Sequence, residues 1–147
     1  MTTGTASSQT IIRDETLPSA FNVTSVTALT NRQVTGYYNS TNDGIDVVLP
    51  IADDATLNGG NVKLEVSVNG GSNYSSIGAT SYSISSIDTN LTCNITNTQF
   101  TGAVSEGQTA VFRTKITDIA GNITTSSNTL NFCLLYTSDA ADERRGV

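Results

Sequence analysis

Residues 62–68 read Val-Lys-Leu-Glu-Val-Ser-Val, an unbroken alternation of apolar and polar side chains. Successive side chains of a strand point to opposite faces, so a period of two describes a strand with one face on a core and the other toward water. Asn69-Gly70-Gly71-Ser72-Asn73 follows, a run whose glycines accept positive φ and so turn the chain into a hairpin. Ala110-Val111-Phe112-Arg113-Thr114-Lys115-Ile116 repeats the pattern, with Phe112 and Ile116 expected inward and Arg113 and Lys115 outward. It ends in Asp118-Ile119-Ala120-Gly121-Asn122, a second turn, after which Ile123-Thr124-Thr125 resumes extended structure.

Weaker strand signals, rich in β-branched and aromatic residues, occupy 21–28, 33–38, 45–49, 82–87 and 91–96. Turn clusters at 39–44, 53–60 and 105–107 separate them, and no segment holds a period near 3.6. About seven short strands punctuated by turns predict an all-β fold, an immunoglobulin-like two-sheet antiparallel sandwich. The expected inward set is Val23, Ile45, Val47, Leu49, Val62, Leu64, Val66, Val68, Ile84, Leu91, Cys93, Ile95, Phe112 and Ile116.

The 147 residues suit a single domain with a core of useful size. There is no His and no Trp, and the net charge is −6, which disfavours nucleic-acid binding through clustered Lys and Arg on phosphates. No apolar run approaches the roughly 18 residues that a membrane helix needs. The opening residues lack the basic and apolar regions of a signal peptide, so a targeting signal is expected outside this stretch.

The run 107–122, GQTAVFRTKITDIAGN, resembles the F strand and F–G turn of bacterial immunoglobulin-like repeats, and 62–78, VKLEVSVNGGSNYSSIG, resembles their C strand and hairpin. The resemblance covers roughly residues 15 to 132. It implies one sandwich repeat of a large secreted or surface-attached, adhesin-type protein, although the Trp and paired Cys of vertebrate-type domains are missing. Thr2 to Ile11 also echo Thr124 to Leu130, and self-similarity at a spacing of about one domain is the signature of an array. The expected organisation is therefore residues 1–13 as the last strand of a preceding repeat or a disordered lead, 14–19 as a linker, and 20–132 as the domain.

The last residues have another character. Cys133 to Glu143, CLLYTSDAADE, resemble a transposase sequencing adapter translated in one frame, over eleven consecutive residues. Residues 133–147 are accordingly expected to be a non-native, disordered tail, with the natural frame continuing past Phe132 into another linker. Without that tail 5 basic and 10 acidic residues remain, so the chain stays acidic, and Cys93 becomes a lone, inward-facing Cys.

Chemistry is sparse. Absence of His removes Ser–His and Cys–His nucleophile activation. The close carboxylate pairs, Asp53/Asp54 and Asp43/Asp46, lie in or beside turns, where Asp usually caps its own backbone. The expectation is a protein that is not an enzyme. The sharper hypothesis is calcium, which takes about 6–8 oxygen ligands. In a sandwich of this topology the 53–58 loop, the 118–122 turn and the linker meet at one pole, so Asp14, Glu15, Asp53, Asp54, Asp118 and Asn122 form the candidate ligand set at a joint between repeats. Otherwise no cofactor is expected. Six Asn-X-Ser/Thr triplets, at Asn22, Asn39, Asn73, Asn90, Asn94 and Asn122, follow from a composition so rich in these residues.

The function expected is that of a spacer, stalk or adhesion module in a bacterial extracellular or cell-surface protein, without membrane insertion in this stretch. Its partners would be neighbouring repeats of the same chain and a host or matrix protein or glycan. Two other readings are a glycan-binding module, which an outward row of aromatics would favour, and an accessory domain of a secreted hydrolase. Tyr37-Tyr38 and Tyr74/Tyr82 are the aromatics to watch, and at least one of the adjacent pair must face the core.

Overall fold

The computed structural model of the chain describes residues 13–30, 33–126 and 130–135. All but Arg13 of the expected strand of a preceding repeat (1–13), three residues of its echo (127–129) and most of the expected tail (136–147) lie outside the described residues. Among the described residues the fold is an all-β sandwich of two sheets with one α-helix.

The first sheet contains β1 (Ser25–Ala28), β3 (Gly44–Ile51) and β6 (Thr89–Thr96) in the order β1-β3-β6. The second runs β2 (Tyr37–Tyr38), β9 (Leu130–Leu134), β7 (Thr109–Thr117), β4 (Asn61–Ser67), β5 (Ser75–Ser83), with β8 (Ile123–Thr125) also on β7. The nine strands reduce to the expected seven when β1/β2 and β8/β9 are each counted as one broken strand. One detail departs from an antiparallel sandwich: β2 pairs with β9 in parallel. The chain leaves the first sheet after β1 and joins the second alongside the last strand, through Thr30 and Gly36, both at positive φ.

The alternation that defines β4 buries Val62, Leu64 and Val66, and β3 buries Ile45, Val47, Leu49 and Ile51 against them. Pro50 is tolerated inside β3. The N–H bonds of Thr24 to Val48 O and of Leu29 to Gly44 O show that even-numbered residues of β3 face β1, and β1 pairs only as far as Val48. Proline's missing donor therefore faces no strand.

Twelve of the fourteen expected core residues are buried. The corrections are Val68, which is 39% exposed, and Leu91, which is half-buried. The β4 ladder ends at Ser67, whose Oγ donates to Asn69 Oδ1 and accepts from Gly71 N–H, so the hairpin begins one residue early and swings Val68 outward. Leu91 lies on β6, an edge of its sheet.

The largest feature absent from the sequence reading is helix α1 (Asn97–Ala103), which seals one end of the sandwich. Thr96 caps it by accepting from Gln99 N–H, while Gln99 Oε1 accepts from Thr96 N–H, a reciprocal capping box. Its Phe100 is fully buried against Tyr38, Phe112 and Phe132, with ring centroids 4.8, 6.2 and 6.1 Å away.

β9 continues past Phe132 through Cys133 and Leu134, and Leu134 is buried. The expected start of the tail therefore falls inside a strand. Ladder hydrogen bonds come from the backbone and accept any sequence. The remaining demand, an apolar side chain at the inward position, is met by Leu134.

Candidate functional site

The pole where the chain enters is built from three turns. The first is 118–122, whose Asp118 is buried. Asp118 Oδ1 accepts from the N–H groups of Ala120 and Asn122, and Oδ2 accepts from Asn122 Nδ2. Burial acts to raise the Asp118 carboxyl, and hydrogen bonds from the Asn122 side chain and the N–H groups of Asn122, Ala120 and Gly121 overcome it, holding the carboxyl below its ordinary value.

The second turn is a single 3₁₀ turn, Ala55–Leu57, capped by Asp54, whose Oδ1 accepts from Thr56 N–H and Oγ1. The two turns are joined by Ile119 N–H donating to Thr56 O at 3.0 Å. The third part is the entering strap. Asn122 Nδ2 also donates to Asp14 O at 3.0 Å, and Thr124 Oγ1 donates to Pro18 O at 2.6 Å. Asp14 Oδ1 accepts from Thr16 N–H, while its Oδ2 is buried with no partner among the described residues.

Of the candidate ligand set, Asp14, Asp118 and Asn122 are in one hydrogen-bonded group, and Asp54 is tied to it through Thr56 and Ile119. Asp53 and Glu15 are exposed, and Glu15 pairs with Arg13. Four of the six are therefore linked at one pole, where both oxygens of Asp118 and the Oδ1 of Asp54 already accept from groups of their own turns. Among the described residues no three His, Cys, Asp or Glu side chains lie close enough together to hold a metal ion.

The paired carboxylates are likewise occupied or apart. Asp54 caps its own turn, and Asp46 accepts from Asn94 Nδ2 across the first sheet. Asp43 is exposed.

Set against family models, characterised proteins and solved structures, the chain matches none.

Among the described residues the aromatics form no outward row. Tyr38 is fully buried, its hydroxyl donating to Asn97 Oδ1 at 2.6 Å and lying 3.0 Å from Asn42 O, while Tyr37 is 43% exposed. Tyr74 lies under the Arg113 guanidinium, 3.8 Å from the ring centroid. Tyr82 bridges the two sheets: its hydroxyl accepts from Ala79 N–H and donates to Asn94 O. Gly78 is required there, because a Cβ at this position would collide with the Tyr82 hydroxyl.

Every Lys and Arg of the described residues except Arg13 sits on the outer face of the second sheet. Arg113 and Lys115 bind the two carboxylate oxygens of Glu65 at 2.6 and 3.4 Å, and Lys63 lies opposite Lys115 in the ladder. Burial would raise the Glu65 carboxyl, but the Arg113 hydrogen bond and the charges of Lys115 and Arg113 hold it below its ordinary value. The alternation in β4 and β7 made this outward placement legible. The Glu65 pairing depends on their register, which the sequence alone leaves open.

Cys93 is buried and free, as is the half-buried Cys133. Burial, with the Asp46 charge second, pushes the Cys93 thiol up to about 12, so it is an inert core side chain rather than a nucleophile.

Proposed function

We propose that the chain is a non-catalytic, immunoglobulin-like repeat module of a larger bacterial extracellular or cell-surface protein, serving as a spacer or stalk or presenting an adhesive region. The strand order supports this reading, since β1-β3-β6 over β9-β7-β4 corresponds to strands A-B-E over G-F-C of immunoglobulin sandwiches. The observation that carries it is at the entry pole. Leu17, Ile119 and Ile123 are 61%, 64% and 50% exposed beside the strap that brings the chain in. Large aliphatic side chains left in water at the end where the described chain enters fit an end-to-end contact between modules.

Calcium at the same joint is a second reading, favoured by Asp14 Oδ2, buried with no partner among the described residues. Under that reading millimolar Ca²⁺ raises Tm by a few degrees, and Asp14→Asn removes the rise. A Tm unmoved by Ca²⁺ contradicts it.

The module reading is tested on the source DNA, sequenced through the codons for Asn131 to Cys133 without a transposase-made library. A frame that continues past Phe132 into a linker and a second sandwich-type repeat agrees with it. A frame that reads Cys-Leu-Leu-Tyr in the genome and stops after Val147 overturns it.

A further inference from the structure

A sandwich of open sheets has four edge strands, and each presents unpaired backbone groups that invite another strand. Three of the four are blunted here. β1 has four residues and β2 only two. β5 breaks register: Val62 and Leu64 of β4 pair with Tyr82 and Ile77, so four residues bulge against one. β6 is different. Its eight residues pair with β3 in unbroken register, it carries no proline, and none of its side chains is charged.

Its free groups can be assigned. The odd-numbered residues of β3 face β6, so their odd-numbered partners in β6 make the ladder bonds and the even-numbered residues point away. Asn94 O agrees with this, because it accepts from the Tyr82 hydroxyl rather than from β3. Asn90 and Thr92 face no other strand among the described residues. Asp88, at φ +55, ends the strand on one side and the Tyr82–Asn94 bond blocks it on the other. What is left open is the window from Thr89 to Cys93, whose midpoint is Leu91.

We propose that this window pairs with the same window of a second copy of the chain, antiparallel, about a two-fold axis at Leu91. In that register Asn90 of each copy lies opposite Thr92 of the other, and the two pairs exchange four backbone hydrogen bonds. Leu91, half-buried at the rim of the core, faces its own counterpart across a non-hydrogen-bonded pair and is covered. The open backbone groups of Asn90 and Thr92 flank Leu91 evenly, so the same window of a second copy offers each of them a partner. It is also uncharged in a chain of net charge −6, so two copies meet there without like charges in contact. The contact closes on itself and ends at a dimer. A single strand pair is a small interface, so exchange between monomer and dimer is expected on the order of 0.1–1 mM. The proposal concerns the side of the sandwich and does not depend on the entry pole or on the module reading.

The test is sedimentation equilibrium of the full chain from about 10 μM to about 1 mM, with Thr92→Pro and Leu91→Cys variants. Thr92→Pro removes an N–H that β3 does not use, so the fold is retained and dimer association falls at least tenfold. In a Cys133→Ser background, Leu91→Cys yields a disulfide-linked dimer under mild oxidation, because directly opposite strand residues lie within disulfide reach, while Thr27→Cys on the β1 edge does not. If Thr92→Pro fails to fold, the Leu91→Cys cross-link alone decides. A chain that stays monomeric at 1 mM with no Leu91→Cys cross-link overturns the proposal. So does a dimer that Thr92→Pro leaves unchanged, or a monomer whose Asn90 and Thr92 amide resonances shift only on adding a foreign extended peptide.

Discussion

The two ends of the sandwich are closed by different physics. At one end helix α1 lays Phe100 over Tyr38, Phe112 and Phe132, all four fully buried. At the other, where the chain enters, short turns are held by Asp118, Asp54 and Asn122 accepting and donating to nearby backbone. The aromatic end gains from area removed from water, which is non-directional and large in sum, and from tilted, edge and stacked ring contacts. The polar end gains from hydrogen bonds worth about 1 kcal/mol net each, and it leaves Leu17, Ile119 and Ile123 in water. One end is closed by packed rings; the other is closed by hydrogen-bonded turns.

That contrast is open to attack, beginning where the effect is largest. Phe100→Ala empties the centre of the aromatic end and is expected to cost about 3–5 kcal/mol, read as a shift in denaturant midpoint. A loss below 1 kcal/mol would mean that α1 is an ornament rather than a lid. Ending the chain at Phe132 is expected to cost about 3 kcal/mol in the same assay. It removes the bonds from Cys133 N–H to Gly36 O, from Leu134 N–H to Gln108 O and from Leu135 N–H to Tyr38 O, together with the burial of Leu134. An unchanged midpoint would show that residues 133–135 add nothing to the strand they extend.

At the polar end Asp118→Ala is expected to cost about 1–3 kcal/mol at neutral pH, because it strips acceptors from the N–H groups of Ala120 and Asn122. Its pH dependence gives a sharper check. The folded carboxyl titrates below its ordinary 3.8, so the stability it confers is present above that value and is lost as pH falls through the lower folded value. The gap between wild type and Asp118→Ala should therefore close as pH drops below about 3.8. A gap that stays constant would place the effect in packing instead.

The smallest change runs the other way. Thr114 is fully buried between the sheets with its Oγ1 unpartnered among the described residues, and Thr114→Val is expected to stabilise by about 1 kcal/mol in thermal melts. A loss of stability would mean that the hydroxyl has a partner that the described residues do not supply.

The same contrast separates what the sequence disclosed from what it hid. Strict alternation at 62–67 and 110–116 fixed which faces are buried, because the period of a strand is written directly in its side chains. The 118–122 turn was equally plain, since Asp, Gly and Asn occupy positions that only turn chemistry needs. The aromatic end was hidden. α1 is seven residues long, too short to show a period, and its one clear signal was the Thr96…Gln99 capping box. Tyr38 and Phe132 lie in short or broken strands whose partners are far away in sequence, so their burial follows from topology rather than from local pattern. The β2–β9 pairing was out of reach for the same reason. At the candidate site the meeting of the turns followed from strand order, whereas the strap bond from Asn122 to Asp14 is a tertiary contact between residues 108 apart.

Native-state hydrogen exchange by NMR tests the contrast between the two ends most directly. If one end is a packed lid and the other a polar clasp, the amide of Val104, which closes α1 by donating to Phe100 O, exchanges only with global unfolding. The amides of Ala120 and Asn122 should instead open at clearly lower free energy, with little dependence on denaturant. Equal protection at both ends, following the same denaturant slope, would contradict the account.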